Sequence, residues 1–486
     1  MNSSGVQFGT SGVRGLVTDM TDVVCFAYVA AFLQYLTENK LLFQSGKVGI
    51  AGDLRSSTPR VMNAVAAACK SLGFQPINYG NIPSPAIALY GLYQEIPTIM
   101  VTGSHIPDDR NGIKFNSPLG EILKADEEGV KLQQVTVPSD LFNDCDQLHH
   151  KKYLPEMDKS ARTHYIQRFI RFFPKQCIQG IKIGLYEHSS VSRDCFKEIF
   201  EALGAEVISL GRSDTFIAVD TEAIRVEDVE LAKQWSAIYN VDCIVSTDGD
   251  GDRPLISDET GKWLRGDIAG VLCAQYLDAE IVITPVSSNT LVEKACFFND
   301  VIRTKIGSPY VIEAMQEAAR LSEKAVIGYE ANGGFLQQTD IKQEGRLLSA
   351  LPTRDAAIVP LTIILLAKRQ GLLISQLLNE LPQRYTFSDR IKNFPSNLSK
   401  QFIAKLVTGS LEASLNNIKL HFSDGANPIS FDETDGLRIT FDTQDIVHLR
   451  PSGNAPEFRC YTEAGSQEKA KSLNNYCMTV LISLLK

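Results

Sequence analysis

The sequence predicts an α/β protein of several domains with a smaller α+β domain at its C-terminal end. Three observations carry this. The chain has 486 residues, too many for one hydrophobic core, since single domains run to roughly 100–200 residues. A short β-branched run that ends in a Gly, Ser, Asp or Asn loop and leads into a helical pattern recurs along it. Such alternation builds layers of helices on parallel or mixed sheets. From about residue 384 the rhythm changes to a helix, two strands with a turn over DGLRITFDTQDIVHLRPSGN (435–454), and a final helix.

In chain order the strand-and-loop units are KVGIAGDLRSST (47–58), TIMVTGSHIP (98–107), IKIGLYEHSS (181–190), DCIVSTDGDGDR (242–253), IVITPVSSNT (281–290) and AVIGYEANGG (325–334). The segments TPRVMNAVAAACKSLG, SRDCFKEIFEALG and SPYVIEAMQEAARLSE carry the apolar spacing of helices. The first two end in Leu-Gly and lead into a new strand, KSLGFQPINYG and EALGAEVISLG. This points to repeated units, although Leu-Gly is a common helix end. Boundaries are expected near 150–158, near the Gly-rich hairpin-like segment 260–266, and near 380–390.

Composition narrows the function classes. Apolar residues make up 44% and charged residues 22%, as in ordinary globular proteins. A net charge of −9 argues against nucleic acid or an anionic membrane as partner, since both need a basic surface. The 10 cysteines show no CxxC pair and no Cys/His metal spacing, the pattern of reduced thiols in a cytosolic protein. The first residues lack a basic and then apolar leader pattern. The apolar run IVPLTIILLA (358–367) is about half the length of a membrane span. The expectation is a soluble, cytoplasmic protein.

The strongest chemical motif is DGDGDR (248–253), which follows a buried-type strand. In extended backbone, alternate residues point to one side, so Asp248, Asp250 and Asp252 can converge on one hard cation. Three carboxylates with open positions suit Mg²⁺ bound to a phosphate. An EF-hand loop also begins D-x-D-x-D, but its sixth position requires Gly and here is Arg253, followed by Pro254. In an aspartyl-phosphate D-x-D-x-[TV] signature, Asp252 would stand where Thr or Val belongs.

In TGSHIPDDRNGIKF (102–115), Gly103 would turn the backbone and Ser104 would project from the strand end, where open α/β sheets place their ligands. A serine hydroxyl needs a base or metal to react, and His105 and Lys114 are near in sequence. RPSGNAPEFR (450–459) gathers Arg, Ser, Asn and turn N–H groups as a phosphate cradle would. In GYEANGG (328–334), Glu330 and Asn332 stand two apart at a strand end, suited to adjacent sugar hydroxyls. FGTSGVRG (8–15) reads as an oxyanion loop or a flexible lead-in. Neither a Walker loop nor a GxGxxG helix opening is present, so nucleotide use has no support. Taken together the motifs fit phosphoryl transfer on a small polyhydroxylated anion.

With these motifs in this order, the sequence resembles the α-D-phosphohexomutase superfamily, in its phosphomannomutase/phosphoglucomutase group. FGTSGVRG, TGSHIP, NGIK, DGDGDR, GYEANGG and RPSGNAPEFR correspond to that family's successive motifs across nearly the whole chain. The resemblance implies three related mixed α/β-sandwich domains and a smaller, mobile α+β C-terminal domain around a central cleft. With the boundaries above, these are 1–155 (phosphoserine loop), 156–264 (metal loop), 265–383 (sugar loop) and 384–486 (phosphate loop). It implies that Ser104 is carried as phosphoserine, and that Asp248, Asp250 and Asp252 hold Mg²⁺ together with a phosphoserine oxygen. Arg14, His105, Lys114 and Arg253 would surround the transferring group. Glu330 and Asn332 would read the sugar, helped by Lys305 and Ser308. Arg450, Ser452, Gly453, Asn454 and Arg459 would hold the non-reacting phosphate.

The implied reaction interconverts hexose 1-phosphate and hexose 6-phosphate through a bisphosphate, with a hexose 1,6-bisphosphate as activator. Phosphomannomutase is the leading reading, with phosphoglucomutase or phosphoglucosamine mutase as alternatives. A sugar-phosphate phosphatase and a non-catalytic phosphosugar-binding protein are the alternatives of other classes. The expected partners are small hexose phosphates, with neither nucleic acid nor membrane, and a monomer or homodimer. The chain departs from the family pattern at Ile106, where Asn is usual, at Asn332, where Ser is usual, at Asn454, where Thr is often found, and at Ser308, where some members have His.

Overall fold

A computed structural model describes residues 4–9, 11–42, 45–149, 152–422, 425–452 and 456–484. It is a mixed α/β protein whose chain divides into two compact units: residues 1–282 with 307–377, and residues 283–306 with 378–486.

In the first unit, strands β1 (Gln7–Phe8), β2 (Val13–Leu16), β3 (Lys47–Gly52), β4 (Gln75–Asn81), β5 (Thr98–Val101), β6 (Arg110–Ser117) and β7 (Gly120–Glu121) form one sheet. Its order is β1-β2-β6-β5-β3-β4, with β7 on β6. β3 runs parallel to β4 and β5, and β6 runs antiparallel to β5 and β2. β5 is buried along its whole length, which explains its unbroken apolar and β-branched sequence. The register decides the site. Met100 lies opposite Lys114, and Arg14 lies opposite Gly112. The chain leaves β5 at Val101, makes the Ser104 loop, and returns on β6 so that Lys114 comes back beside the strand it left. Helix Asp22–Glu38, capped by the Thr21 hydroxyl accepting from the Val24 N–H, lays Phe32 on Phe115 with ring centres 4.7 Å apart. Burying such a ring stabilises the layer by about 1.5–3 kcal/mol.

Strands β8 (Lys182–Tyr186), β9 (Glu206–Leu210), β10 (Cys243–Thr247) and β11 (Pro254–Ile256) form a second sheet in the order β11-β10-β8-β9. β10 is parallel to β8 and antiparallel to β11, with Thr247 opposite Pro254. DGDGDR is therefore the loop of a β-hairpin. Strand Val326–Tyr329 pairs antiparallel with Phe335–Gln337, which makes 330–334 another hairpin loop.

The second unit holds a five-stranded antiparallel sheet in the order Tyr385–Lys392, Glu457–Ala464, Ile446–Pro451, Leu437–Phe441, Pro428–Asp432. Helix Gln467–Ser483 packs on it, and Phe394, Phe422 and Phe458 are fully buried in its core. This is the α+β arrangement expected at the C-terminal end. Segment 283–306 is tied into the same unit by the Asn289 amide donating to the Arg384 carbonyl at 2.9 Å and the Thr290 N–H donating to Glu463 at 3.0 Å.

One local expectation differs from the structure. FGTSGVRG includes the β1–β2 hairpin instead of a flexible lead-in: Phe8 pairs with Val13 and Gln7 with Arg14. Strand Tyr385–Lys392 begins within the segment 380–390. Its polar sequence is explained by its position at the sheet edge, where one side and one flank face solvent. Among the described residues no helix is long and apolar enough to cross a membrane. All 10 cysteines are free thiols.

Candidate active site

Ser104 sits at the carboxyl end of β5 with φ 57°, in the left-handed region. For a serine this conformation costs about 1–3 kcal/mol and needs support from its surroundings. Arg55, at the end of β3 and almost fully buried, supplies it. Its guanidinium donates to the carbonyls of Ser104 (2.9 Å), Ile106 (2.6 Å), Pro107 (2.6 Å) and Arg110 (2.9 Å), and its Nε donates to Asp53 Oδ2 at 3.1 Å. Every N–H of the fork is used. Thr102 Oγ1 donates to Asp53 at 2.7 Å and accepts from the Ser104 N–H at 2.7 Å. Burial raises the Asp53 carboxyl above its ordinary pKa, although Arg55 and two threonines oppose the shift. Gly103 corrects the sequence reading: its φ is not positive, so the turn is made at Ser104. Glycine is needed because an added Cβ would stand 2.6 Å from the Arg55 guanidinium carbon.

The Ser104 hydroxyl donates to Asp248 Oδ2 at 2.6 Å, and His105 Nδ1 lies 3.3 Å from Ser104 Oγ. Lys114 Nζ donates to Asp250 Oδ2 and Asp252 Oδ2, both at 2.6 Å. Ser84 donates its hydroxyl to Asp250 Oδ2 at 2.5 Å and its N–H to the Asp250 carbonyl at 2.9 Å. Asp248, Asp250 and Asp252 are buried, with one oxygen of each within 4.8 Å of the others. Burial and the two neighbouring carboxylates push Asp248 well above the usual carboxylate range. Asp250 is held below that range, because Lys114 and the Ser84 hydroxyl outweigh its burial. Lys114 is pulled down by burial, but Asp250 and Asp252 more than offset this and leave it above its ordinary pKa.

The donor set fits a divalent cation. Asp250 Oδ1 and Asp252 Oδ1 are buried and accept no hydrogen bond. Desolvated carboxylate oxygens without donors are costly unless a cation meets them. Carboxylate and hydroxyl oxygens are the ligands of Mg²⁺-type ions.

Arginines surround this triad. Burial and the nearby Arg253 and Arg354 guanidiniums lower Arg14 to about 10. Arg253 lies with its Nε 3.8 Å from Asp252 Oδ1. Arg354 is buried, with Nη2 3.0 Å from Asp252 Oδ2 and Nη1 3.5 Å from Glu330 Oε2. Burial and the Arg253 guanidinium push His105 down to about 3, against the nearby Asp220 carboxylate. Glu330 is buried and raised by that burial, against Arg354 and Arg253. Asn332 is half-buried; its Oδ1 accepts the Gly334 N–H at 2.9 Å, and its carbonyl accepts the Thr221 hydroxyl at 2.6 Å. Ser308, in the first turn of helix Ser308–Leu321, is buried with no partner for its hydroxyl. The first unit thus gathers Ser104, His105, Lys114, Arg14, Arg253, Glu330 and the aspartate triad.

Residues 5–133 match the description phosphoglucomutase/phosphomannomutase, alpha/beta/alpha domain I, and residues 265–385 match domain III of the same family. A phosphomannomutase of Salmonella muenchen is 43% identical over 483 residues, covering 97% of this chain and 94% of that protein. The chain belongs to the phosphoglucomutase/phosphomannomutase family. A phosphoglucomutase/phosphomannomutase family protein from Burkholderia thailandensis shares the fold, with a TM-score of 0.72 at 18% identity over 98% of this chain and 97% of that one. The N-acetylphosphoglucosamine mutase of Aspergillus fumigatus, solved with GlcNAc-6P and magnesium, gives a TM-score of 0.59 at 14% identity over 98% and 96% of the two chains.

The second unit of this phosphoglucomutase/phosphomannomutase chain carries the remaining expected residues. Arg450 Nε pairs with Asp435 Oδ2 at 3.0 Å, and the same carboxylate accepts the Ile306 N–H at 3.0 Å. This brings exposed Lys305 into the neighbourhood of Arg450. Ser452 is buried and donates its N–H to the Glu457 carbonyl at 2.9 Å. Gly453 and Asn454 lie outside the described residues. Arg459 stands opposite Arg450 on one side and Arg390 on the other. Like charges in register across strands destabilise a sheet; here Glu457 meets two of them, at 3.2 Å from Arg459 and 3.5 Å from Arg390, and Asp435 meets Arg450.

Sequence reasoning missed Arg55, Ser84, Asp220, Arg354 and Arg390. Asp220, in the irregular segment between β9 and helix Val226–Tyr239, faces His105 and Arg253 and is held below its ordinary pKa by them against its burial. GDLR after β3 was the one available signal for Arg55, since a charged pair at the end of a buried parallel strand faces the site edge.

Proposed function

We propose that this protein is a phosphohexomutase that interconverts mannose 1-phosphate and mannose 6-phosphate, with Ser104 as the phosphoryl carrier. The observation that carries the proposal is the Ser104 hydroxyl bonded at 2.6 Å to one member of a buried aspartate triad. The likeness to a phosphomannomutase over nearly the whole chain supports mannose over glucose and glucosamine.

The residues divide the work. Phosphoserine 104 gives its phosphoryl group to the free hydroxyl of a hexose phosphate: the bond from Ser104 Oγ to phosphorus breaks as the bond from the sugar oxygen forms. The bisphosphate turns end for end, and its other phosphoryl group returns to Ser104. Lys114, Arg14 and Arg253 meet the charge on the transferring group, and such preorganised cations supply most of the rate enhancement in phosphoryl transfer. Asp248, Asp250, Asp252 and Ser104 would hold Mg²⁺, which when bound adds electrostatic stabilisation of the phosphoryl oxygens. Glu330 and Asn332 read sugar hydroxyls, with Ser308 and Lys305. Arg450, Ser452, Gly453, Asn454 and Arg459 hold the phosphate that does not react. The working domains are 1–155, 156–264, 265–383 and 384–486, the enzyme is cytoplasmic, and a hexose 1,6-bisphosphate primes Ser104.

The test compares mannose, glucose and glucosamine 1-phosphates with purified protein, Mg²⁺ and trace matching bisphosphate. Formation of mannose 6-phosphate fastest, without free phosphate, is the expected outcome. Phosphate release without isomer would make the protein a phosphatase. Binding without any turnover would make it a phosphosugar-binding protein.

A further inference from the structure

We propose that Arg354 is a positioning residue of this site, which sets the sugar-reading carboxylate Glu330 against the metal loop; the inference rests on the mutase reading above. Three observations bear on it. First, one guanidinium reaches both loops, at 3.0 Å to Asp252 Oδ2 and 3.5 Å to Glu330 Oε2. Its Nε is buried without a hydrogen-bond partner, so the outer nitrogens carry its contacts with the two carboxylates. Second, its base is pinned. The next residue donates its N–H to the Phe335 carbonyl at 2.8 Å, and Asp355 Oδ1 accepts the Tyr165 hydroxyl at 2.7 Å. A buried stem with a fixed base leaves the fork little freedom. Third, the sugar loop makes room for it. Gly334 has no positive φ, yet an added Cβ would stand 2.4 Å from Arg354 Cδ and 2.7 Å from its Cγ. Glycine at 334 is required by the arginine, not by the turn.

The chemistry follows from the fork. A guanidinium presents parallel donors and can hold two carboxylates in fixed relation, whereas an ammonium is a point charge. Lysine at 354 keeps the charge but meets either Asp252 or Glu330. Glu330 then loses the donor that fixes which of its oxygens faces a sugar hydroxyl. The triad keeps Lys114 on Asp250 and Asp252, so cation binding is largely spared.

Arg354→Lys is therefore expected to weaken binding of mannose 1-phosphate, followed by calorimetry, by about tenfold. KM should rise with it while kcat falls much less, and Mn²⁺ affinity, read by electron paramagnetic resonance, should stay within about threefold. Gly334→Ala, which leaves the charge and pushes the arginine stem, moves the same quantities in the same direction. Gly334→Ala combined with Arg354→Ala loses no more than Arg354→Ala alone, because the methyl group then meets no stem. Mannose 1-phosphate bound as tightly by Arg354→Lys as by wild type overturns the proposal. So does a loss of Mn²⁺ affinity as large as the loss of sugar binding. A wild type that binds mannose 1-phosphate but turns over none of the hexose phosphates defeats the mutase reading instead, and the calorimetry still judges Arg354.

Discussion

Ser104 is strained, hydrogen-bonded to an aspartate and set beside the His105 imidazole. Ser104→Ala is expected to abolish turnover, and intact-mass measurement should find on wild type a phosphoryl adduct missing from the variant. An adduct that persists in Ser104→Ala would place the phosphoryl group elsewhere. Arg55 touches no reacting atom, yet it holds four carbonyls of the serine loop. Arg55→Met should lower kcat by about 10²-fold through misplacement of Ser104 and destabilise the fold by about 3–5 kcal/mol, since Asp53 is left as an unpaired buried charge. Activity close to wild type with a lowered melting temperature would reduce Arg55 to a packing role. The contrast between these residues shows what a sequence carries. The aspartate triad and Ser104 stand out because their spacing within one short segment already states a geometry. Arg55 and Arg354 do not, because their partners lie 49–55 residues away as anonymous backbone carbonyls or in other loops.

At the scale of elements, the two hairpin loops 248–253 and 330–334 and the loop between β5 and β6 do the positioning. The strand leading into each loop was legible from a β-branched run closed by turn residues, and its observed bounds agree with the sequence to within a few positions; the returning strands Arg110–Ser117, Pro254–Ile256 and Phe335–Gln337 were not. Pairing was not legible. Nothing local says that β6 returns antiparallel to β5 and sets Lys114 level with Met100. The same holds for the C-terminal sheet, where register alone puts Arg390, Arg459 and Arg450 in one row. That row yields a prediction at this scale. Arg459→Ala should raise KM for hexose phosphates by about tenfold, leave kcat within a few-fold, and make KM less sensitive to added salt. A fall in kcat at unchanged KM would assign the row to the chemical step.

At the scale of the molecule, two compact units mean that unfolding is not a single two-state event. The triad lies in the unit formed by 1–282 and 307–377. A cation that binds only the folded site stabilises it by mass action. In calorimetry, millimolar Mg²⁺ should raise the transition of that unit by several degrees and leave the other transition in place. Equal shifts of both, or none, would contradict a Mg²⁺ site at the triad. Domain organisation at the level of α/β layers with a distinct C-terminal α+β part was open to sequence, because the strand-and-helix rhythm changes there. The grouping of 283–306 with the C-terminal residues was not, since it depends on buried pairs such as Arg384 with Glu463. Finally, the Arg55 clamp turns one peptide bond into a gauge of integrity. Arg110 is exposed, but its carbonyl is gripped by Arg55 at 2.9 Å at the start of β6. A protease specific for arginine can reach that side chain but cannot draw the bond into an extended conformation until the clamp lets go. Cleavage after Arg110 therefore measures how often the serine loop opens in the native enzyme.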